Sequence, residues 1–262
     1  MKLPLYQIDA FTDQVFGGNP AAVCPLSTWL ADETLQAIAA ENNQAETAFL
    51  VARADGDYDL RWFTPTLEVD LCGHATLASA YAVFFHLRPQ ADSVRFHSRS
   101  GPLTVTRAGE VLTMDFPAQP PRRAGSEEVA AVAAALGSEP LEVWRDEKFL
   151  ALLPDEAAVR AAAPDLALVA ALPGDGLIVT AGGDVHDFVS RYFAPASGIP
   201  EDSVTGSAHC VLAPFWAERL GRNPLQARQV SRRGGDVACH VAGDRVCLSG
   251  RAAPYLEGSI TI

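Results

Sequence analysis

The sequence predicts an α+β fold of two pseudo-symmetric lobes, each a mixed, largely antiparallel and curved β-sheet wrapped around one central α-helix. Three observations carry this. The chain holds one short block twice: W-F-T-P-T-L-E-V-D-L-C-G-H-A-T at 62–76 and Y-F-A-P-A-S-G-I-P-E-D-S-V-T-G-S-A-H at 192–209. Both run from an aromatic strand end through a proline and acidic residues to a glycine, a polar residue and alanine; the second copy is longer between Pro195 and Gly206 than the first between Pro65 and Gly73. A segment apolar on nearly every side follows each block, His74–His86 and Gly206–Leu220, and a helix without a polar face must be buried all round. Short segments with strand-like alternation flank both helices.

Residues 3–11 alternate and read as a strand. Gly17-Gly18-Asn19-Pro20 is a turn leading into a short strand, Ala21–Cys24. Thr28–Asn42 holds good helix formers, with Leu30, Leu35 and Ile38 as its apolar residues. Residues 47–52 and 58–64 read as a strand pair joined by Asp55-Gly56-Asp57. The first central helix, His74–His86, and strands at 93–98, 102–107 and 111–116 complete the lobe. Pro117–Gly125 is rich in Pro and Ala, carries no motif and is read as the linker. The lobes are therefore 1–117 and 118–262, with room for a C-terminal strand to cross back to the first. In the second lobe Ser126–Leu136 is a surface helix, and 141–145 and 149–153 are strands. The Ala-rich stretch 155–171 is helical but interrupted at Pro164, and strands follow at 176–181 and 186–193. The second central helix contains Pro214, which removes one intrahelical bond and predicts a kink. Gly221 stops it, and strands at 226–231, 236–242 and 245–249 close the lobe.

Composition excludes several classes. Hydrophobic residues make up 48% and charged residues 20% of the 262, as in an ordinary folded core and unlike a disordered chain. The net charge is −12 and no basic run exceeds a doublet, so a nucleic-acid partner, which needs a basic stripe, is not expected. That acidity steers anions away, so an anion site here must rely on local backbone N–H groups and nearby Arg. The five cysteines (24, 72, 210, 239 and 247) are odd in number and form no C-x-x-C pair. They suggest neither a zinc knuckle nor a disulfide framework, but a reducing, cytoplasmic setting. Asp9 comes too early for a signal peptide, and no apolar run reaches the roughly 18 residues of a membrane span. Without a phosphate loop, metal-ligand spacing or dinucleotide fingerprint, neither cofactor nor metal is expected.

The duplicated block is where chemistry is expected. If the two helix N-termini face one cleft, their unpaired first-turn N–H groups and positive dipole ends suit a small carboxylate substrate. Gly73 and Gly206 let the backbone approach such a ligand. Beside them stand His74 in the first copy and Asp202 and Ser207 in the second, placed to handle protons. A second reading has Asp202 and Ser207 capping their helix and His74 as a satisfied core histidine. Glu46 sits where a polar loop becomes the apolar strand Thr47–Val51. Desolvation there raises a carboxyl pKa and makes it a proton shuttle near neutrality; the plainer alternative is a surface glutamate. Cys72 precedes Gly73, and its counterpart before Gly206 is Thr205, a poor acid–base partner, so Cys72 reads more as a small buried residue than as half of a two-cysteine pair.

Taken together, F-G-G-N-P-A-A-V (16–23), N-Q-A-E-T-A-F (43–49), F-T-P-x-x-E-V-D-L-C-G-H-A-T (63–76), F-A-P-x5-E-D-S-V-T-G-S-A-H (193–209) and S-R-R-G-G (231–235) resemble the PhzF-like family of phenazine-biosynthesis-type isomerases. The resemblance spans nearly the whole chain. It implies a diaminopimelate-epimerase-like fold, with the site between the lobes, and a cofactor-free isomerase working as a homodimer. The family's proton-transferring glutamate falls on Glu46, its supporting residues on His74, Asp202 and Ser207, and its substrate-binding backbone on Gly73 and Gly206. The Gly18-Asn19 pair then shapes the cleft wall.

The expected activity is proton transfer on a small unsaturated or cyclic carboxylic acid, similar to the isomerisation of trans-2,3-dihydro-3-hydroxyanthranilate. One alternative is an amino-acid epimerase or racemase using Cys72. Another is a non-catalytic protein that binds small acids.

Overall fold

The computed structural model describes all residues, Met1–Ile262. The chain forms two compact units, Met1–Asp115 with Ser249–Ile262, and Phe116–Leu248. No helix is long and apolar enough to cross a membrane.

In the first unit the strands pair in the order Ala252–Thr261, Lys2–Ala10, Asn19–Leu26, Glu46–Ala52, Tyr58–Phe63, Ser93–Ser98, Gly101–Ala108 and Val111–Pro117. Neighbours are antiparallel except at two places. Asn19–Leu26 runs parallel to Glu46–Ala52, and Tyr58–Phe63 parallel to Ser93–Ser98. A parallel pair needs a crossover. The helix Asp32–Asn42 supplies the first and the helix Gly73–Ala82 the second.

In the second unit the order is Arg122–Arg123, Glu142–Arg145, Phe149–Leu152, Leu177–Gly182, Phe188–Ala194, Leu225–Gln229 and Gly235–Ala242. Again two pairs are parallel. Phe149–Leu152 and Leu177–Gly182 are bridged by the short helices Glu156–Ala161 and Leu166–Ala171, and Phe188–Ala194 and Leu225–Gln229 by the helix Gly206–Leu220. From Lys2 and from Glu142 onward, the sequence of antiparallel and parallel steps is the same in both units. The duplicated block thus belongs to a duplicated topology.

Both central helices are buried as their composition demands. In Gly73–Ala82 every residue but Gly73 and Tyr81 is buried, and the helix lies against strands Lys2–Ala10, Asn19–Leu26, Glu46–Ala52 and Ala252–Thr261. Its two hydroxyls are satisfied inside the helix, Thr76 Oγ1 donating to the Cys72 carbonyl at 2.6 Å and Ser79 Oγ to that of Ala75 at 2.7 Å. On the opposite face of the sheet, Leu35, Ile38 and Ala39 of Asp32–Asn42 pack on Cys24, Leu26, Phe49 and Phe63. Strands covered on both faces read as apolar runs, and period two then separates Phe49 from Glu46, Ala48 and Leu50. Glu46 therefore shares the face of the central helix.

Several elements differ from the sequence reading. The helix expected over Thr28–Asn42 begins at Asp32. The helix expected to reach His86 is α-helical only to Ala82 and continues as a π-turn, Val83–Leu87. Gly206–Leu220 has the bounds read from the sequence, with Pro214 inside it. The carbonyl that proline leaves without a helical donor, Cys210 O, accepts instead from Gln119 N at 3.0 Å. The presumed linker is thereby tied down: Ala118 N donates to Asp244 O, and Arg122–Arg123 pairs with Trp144 and Arg145. The final strand, Ala252–Thr261, lies beside Lys2–Ala10 in the first unit. Pro254 and Gly258 and the absence of alternation hide it in the sequence.

Candidate active site

The residues singled out in the sequence gather into two half-sites, one in each unit. In the first, Ala21 pairs with Glu46 across the parallel strands, and Asn19 begins the neighbouring strand. Gly18 just before it has φ +58°, and a Cβ there would lie 2.1 Å from the Ala10 carbonyl oxygen, so only glycine fits. Asp9, buried, accepts the Phe16 N–H at 2.8 Å and braces the same loop.

Glu46, Cys72 and His74 are 8%, 6% and 5% exposed. His74 Nε2 stands 3.0 Å from Glu46 Oε2. On the other side of the ring, Nδ1 is 3.1 Å from the Asn19 amide and 3.5 Å from Cys72 Sγ. The contact between Glu46 and His74 is close but not aligned as a hydrogen bond, and Oε2 and Nε2 have no other partner. Cys72 is extended (φ −145°, ψ 110°) and no side chain caps the helix it precedes, which leaves first-turn N–H groups for a ligand.

Electrostatics correct one expectation. Burial does push the Glu46 carboxyl upward, but the His74 ring and the Cys72 thiol beside it outweigh burial, and its pKa lies below the ordinary value. Burial likewise opposes the His74 imidazolium, yet the Cys72 and Glu46 groups hold its pKa well above the ordinary value. The resting pair is carboxylate and imidazolium, a base already in its reactive form. Cys72 goes the other way: burial and then the Glu46 carboxylate push its thiol up to about 11. A buried, protonated thiol is a poor nucleophile or base.

The second half-site is built from hydrogen bonds. Thr205 Oγ1 donates to Asp202 Oδ2 at 2.6 Å. Gln229, fully buried, donates through Nε2 to the Asp202 carbonyl at 2.7 Å and to Thr205 Oγ1 at 3.2 Å, and its Oε1 accepts the Thr205 N–H at 2.9 Å. His209 Nδ1 lies 2.7 Å from the Thr205 carbonyl, and burial drops the His209 pKa to about 4, so the ring is neutral and Nδ1 donates. Gly206 is buried and Ser207 half-buried at the start of the helix.

The residue at the N-cap of this helix is Thr205, whose side chain makes no capping hydrogen bond. Asp202 accepts from the Thr205 hydroxyl. The two copies do share one device. Thr76 and His209, each four residues after the residue before the helix, back-bond to that residue's carbonyl. Gln229 and His209 escaped the sequence reading. His209 closes the duplicated block, but nothing in the sequence reveals that its partner is a backbone carbonyl.

A family model described as phenazine biosynthesis-like protein, PhzC-PhzF, matches residues 8–258. An uncharacterized isomerase of Pseudomonas aeruginosa is 51% identical over 260 residues, covering 99% of both chains. The crystal structure of a phenazine biosynthesis PhzF-family protein of Enterococcus faecalis superposes with a TM-score of 0.97 at 44% identity, covering 100% of both chains. A hydroxyproline epimerase of Agrobacterium vitis, at 11% identity, TM-score 0.56 and coverage of 99% and 92%, shares the fold.

Proposed function

This chain belongs to the phenazine biosynthesis-like PhzC-PhzF family, and we propose that it is an isomerase that moves a proton along a small unsaturated or cyclic carboxylic acid without a cofactor. The observation that carries this reading is the buried contact between Glu46 Oε2 and His74 Nε2, 3.0 Å apart. Glu46, as carboxylate, removes a proton from a substrate carbon and returns it further along the same face. The His74 imidazolium offsets the charge that develops on the delocalised acid. Backbone N–H groups at Gly73 hold the substrate carboxylate, in the way oriented donors stabilise developing anions. Gly18 and Asn19 shape the wall beside His74, and Gly206, Asp202 and Ser207 are offered as further substrate-binding residues.

A Cys72 epimerase is less well supported. The thiol is held protonated, and Thr205, at the corresponding position, gives its hydroxyl proton to Asp202. A pure binder has no use for a buried ion pair, whose desolvation is costly.

The test is proton NMR in D₂O with a panel of unsaturated and amino carboxylates that includes trans-2,3-dihydro-3-hydroxyanthranilate. Deuterium should enter a carbon position with wild type, and Glu46→Gln should slow this by about 100-fold or more. Exchange at the wild-type rate in a folded Glu46→Gln protein would remove Glu46 from the role.

A further inference from the structure

We propose that Gln229 is a positioning residue for Asp202: its amide sets the direction of a hydrogen-bonded chain that holds Asp202 as an acceptor toward the substrate. The role of Asp202 rests on the function proposed above, whereas the direction of the chain does not. The fold brings Gln229 to this place. It ends strand Leu225–Gln229, which runs parallel to Phe188–Ala194. Parallel strands end at the same edge of a sheet, and the helix that bridges them starts there. Leu225, Ala227 and Gln229 are buried while Gln226 is exposed, so period two puts Gln229 on the covered face.

Two backbone groups settle which way the amide faces. The Thr205 N–H can only donate, so the atom it meets at 2.9 Å is Oε1. The Asp202 carbonyl can only accept, so the atom at 2.7 Å from it is Nε2. The second Nε2 proton goes to Thr205 Oγ1 at 3.2 Å. With Oγ1 accepting there, the Thr205 hydroxyl sends its own proton to Asp202 Oδ2, 2.6 Å away. Turning the amide over would set donor against donor at Thr205 and acceptor against acceptor at Asp202. Gln229 is fully buried, and each unmade buried bond costs about tenfold in population.

The surrounding segment is pinned as well. Ser231 Oγ donates to the Ser203 carbonyl at 2.6 Å, and His209 Nδ1 to that of Thr205 at 2.7 Å. Only an amide serves at position 229. Glutamate keeps the acceptor and loses both donors, and methionine keeps the shape and loses all three bonds. An acceptor held in this way selects a donor on the substrate, a hydroxyl or an ammonium group.

The experiment has two arms. The first is NMR on wild type, which needs no variant to fold. Both Gln229 Nε2 protons should be protected from solvent exchange. The Thr205 hydroxyl should exchange slowly enough to split the Thr205 Cβ line in mixed H₂O and D₂O. Rapid exchange at either group would overturn the chain. The second arm measures KM and kcat, on the acid found in the D₂O panel, for Gln229→Met, Thr205→Val, Thr205→Ser and Asp202→Asn, and for Asp202→Asn combined with Gln229→Met. Gln229→Met and Thr205→Val should each raise KM about tenfold or more, with kcat kept within about threefold. Thr205→Ser, which retains the hydroxyl, should bring KM back to within about threefold of wild type. In the Asp202→Asn background Gln229→Met should add less than about threefold, because its effect runs through Asp202. A merely structural role would leave KM unmoved, or raise it equally in both backgrounds, and either result would overturn the proposal. If Gln229→Met does not fold, the Thr205 pair decides: Thr205→Val with wild-type KM overturns it. If wild type exchanges deuterium into none of the acids, the function proposed above fails and the role of Gln229 falls with it, with the first arm still deciding the chain. If exchange is normal and KM does not respond, the role of Gln229 fails alone.

Discussion

Acidification should unload the second half-site through one residue. A histidine in an unfolded chain titrates near 6.5, while burial holds His209 at about 4. Between these values the unfolded chain binds a proton that the folded chain does not. The stability contributed by neutral His209 is thus complete above about pH 6.5 and is lost as pH falls toward 4, by about 3 kcal/mol between pH 7 and pH 4. The assay is urea unfolding in steps from pH 7 to pH 4 for wild type and His209→Asn. An asparagine amide can still donate to the Thr205 carbonyl, now accepting at 2.7 Å from His209 Nδ1, but it cannot take up a proton. Carboxylates common to both proteins cancel in the difference. Near neutrality the variant should be less stable by about 1–3 kcal/mol for its smaller side chain, and this gap should shrink by about 3 kcal/mol toward pH 4. Two parallel stability curves would refute the assignment of a buried neutral ring.

Gly18→Ala should destabilise the first unit by at least about 2 kcal/mol, since φ +58° is strained for alanine and its Cβ meets the Ala10 carbonyl; an unchanged melting temperature would refute this. Alkylation of the native protein should modify Cys247 first, because the other four cysteines are buried. Cys72, held at about 11, should stay unlabelled at pH 8 until the chain unfolds, and peptide mapping that finds it among the fast thiols would contradict the site geometry. Thr180→Val removes the acceptor of the buried Trp216 Nε1, now 2.9 Å away. That should cost about 1–3 kcal/mol in urea unfolding, a loss that valine at an equally good packing position would otherwise not bring.

Much of the fold was legible because it rests on period and composition. Segments such as His74–Ala82 and Gly206–Leu220 read as largely buried helices, since little in them before Glu218 could face water. Glu46 and His74 were legible as candidates, but their protonation was not. Desolvation alone predicts a raised carboxyl pKa, and the opposing ring comes from a residue 28 positions away in the chain (74 − 46). Pro214 was legible as the loss of one helical bond, but what replaces it was not. Its local effect is a missing donor, and the donor that replaces it, Gln119 N, comes from a distant segment with no motif. The terminal strand Ala252–Thr261 carries Pro254 and Gly258 and exposes most of its residues, so neither alternation nor apolarity announces it.

The duplication that made the fold readable also bears on the chemistry. The topology repeats, and so does the uncapped helix start with a back-bond from four residues on. The side chains at matching places do not repeat: Cys72 against Thr205, His74 against Ser207, Thr76 against His209. Inversion at carbon needs an acid and a base of comparable strength on opposite faces. Here the first unit holds a carboxylate–imidazolium pair. The second offers hydroxyls, an amide and a neutral imidazole, with Asp202 bound to the Thr205 hydroxyl. In the function proposed above, a proton removed by Glu46 returns on the face it left, as migration along one face requires. Installing cysteine in place of Thr205 should not create epimerase activity while the Gln229 network and the protonated Cys72 remain. Measurable inversion of an amino acid by Thr205→Cys would show that side-chain identity at this position, and not the Glu46–His74 pair, decides the reaction.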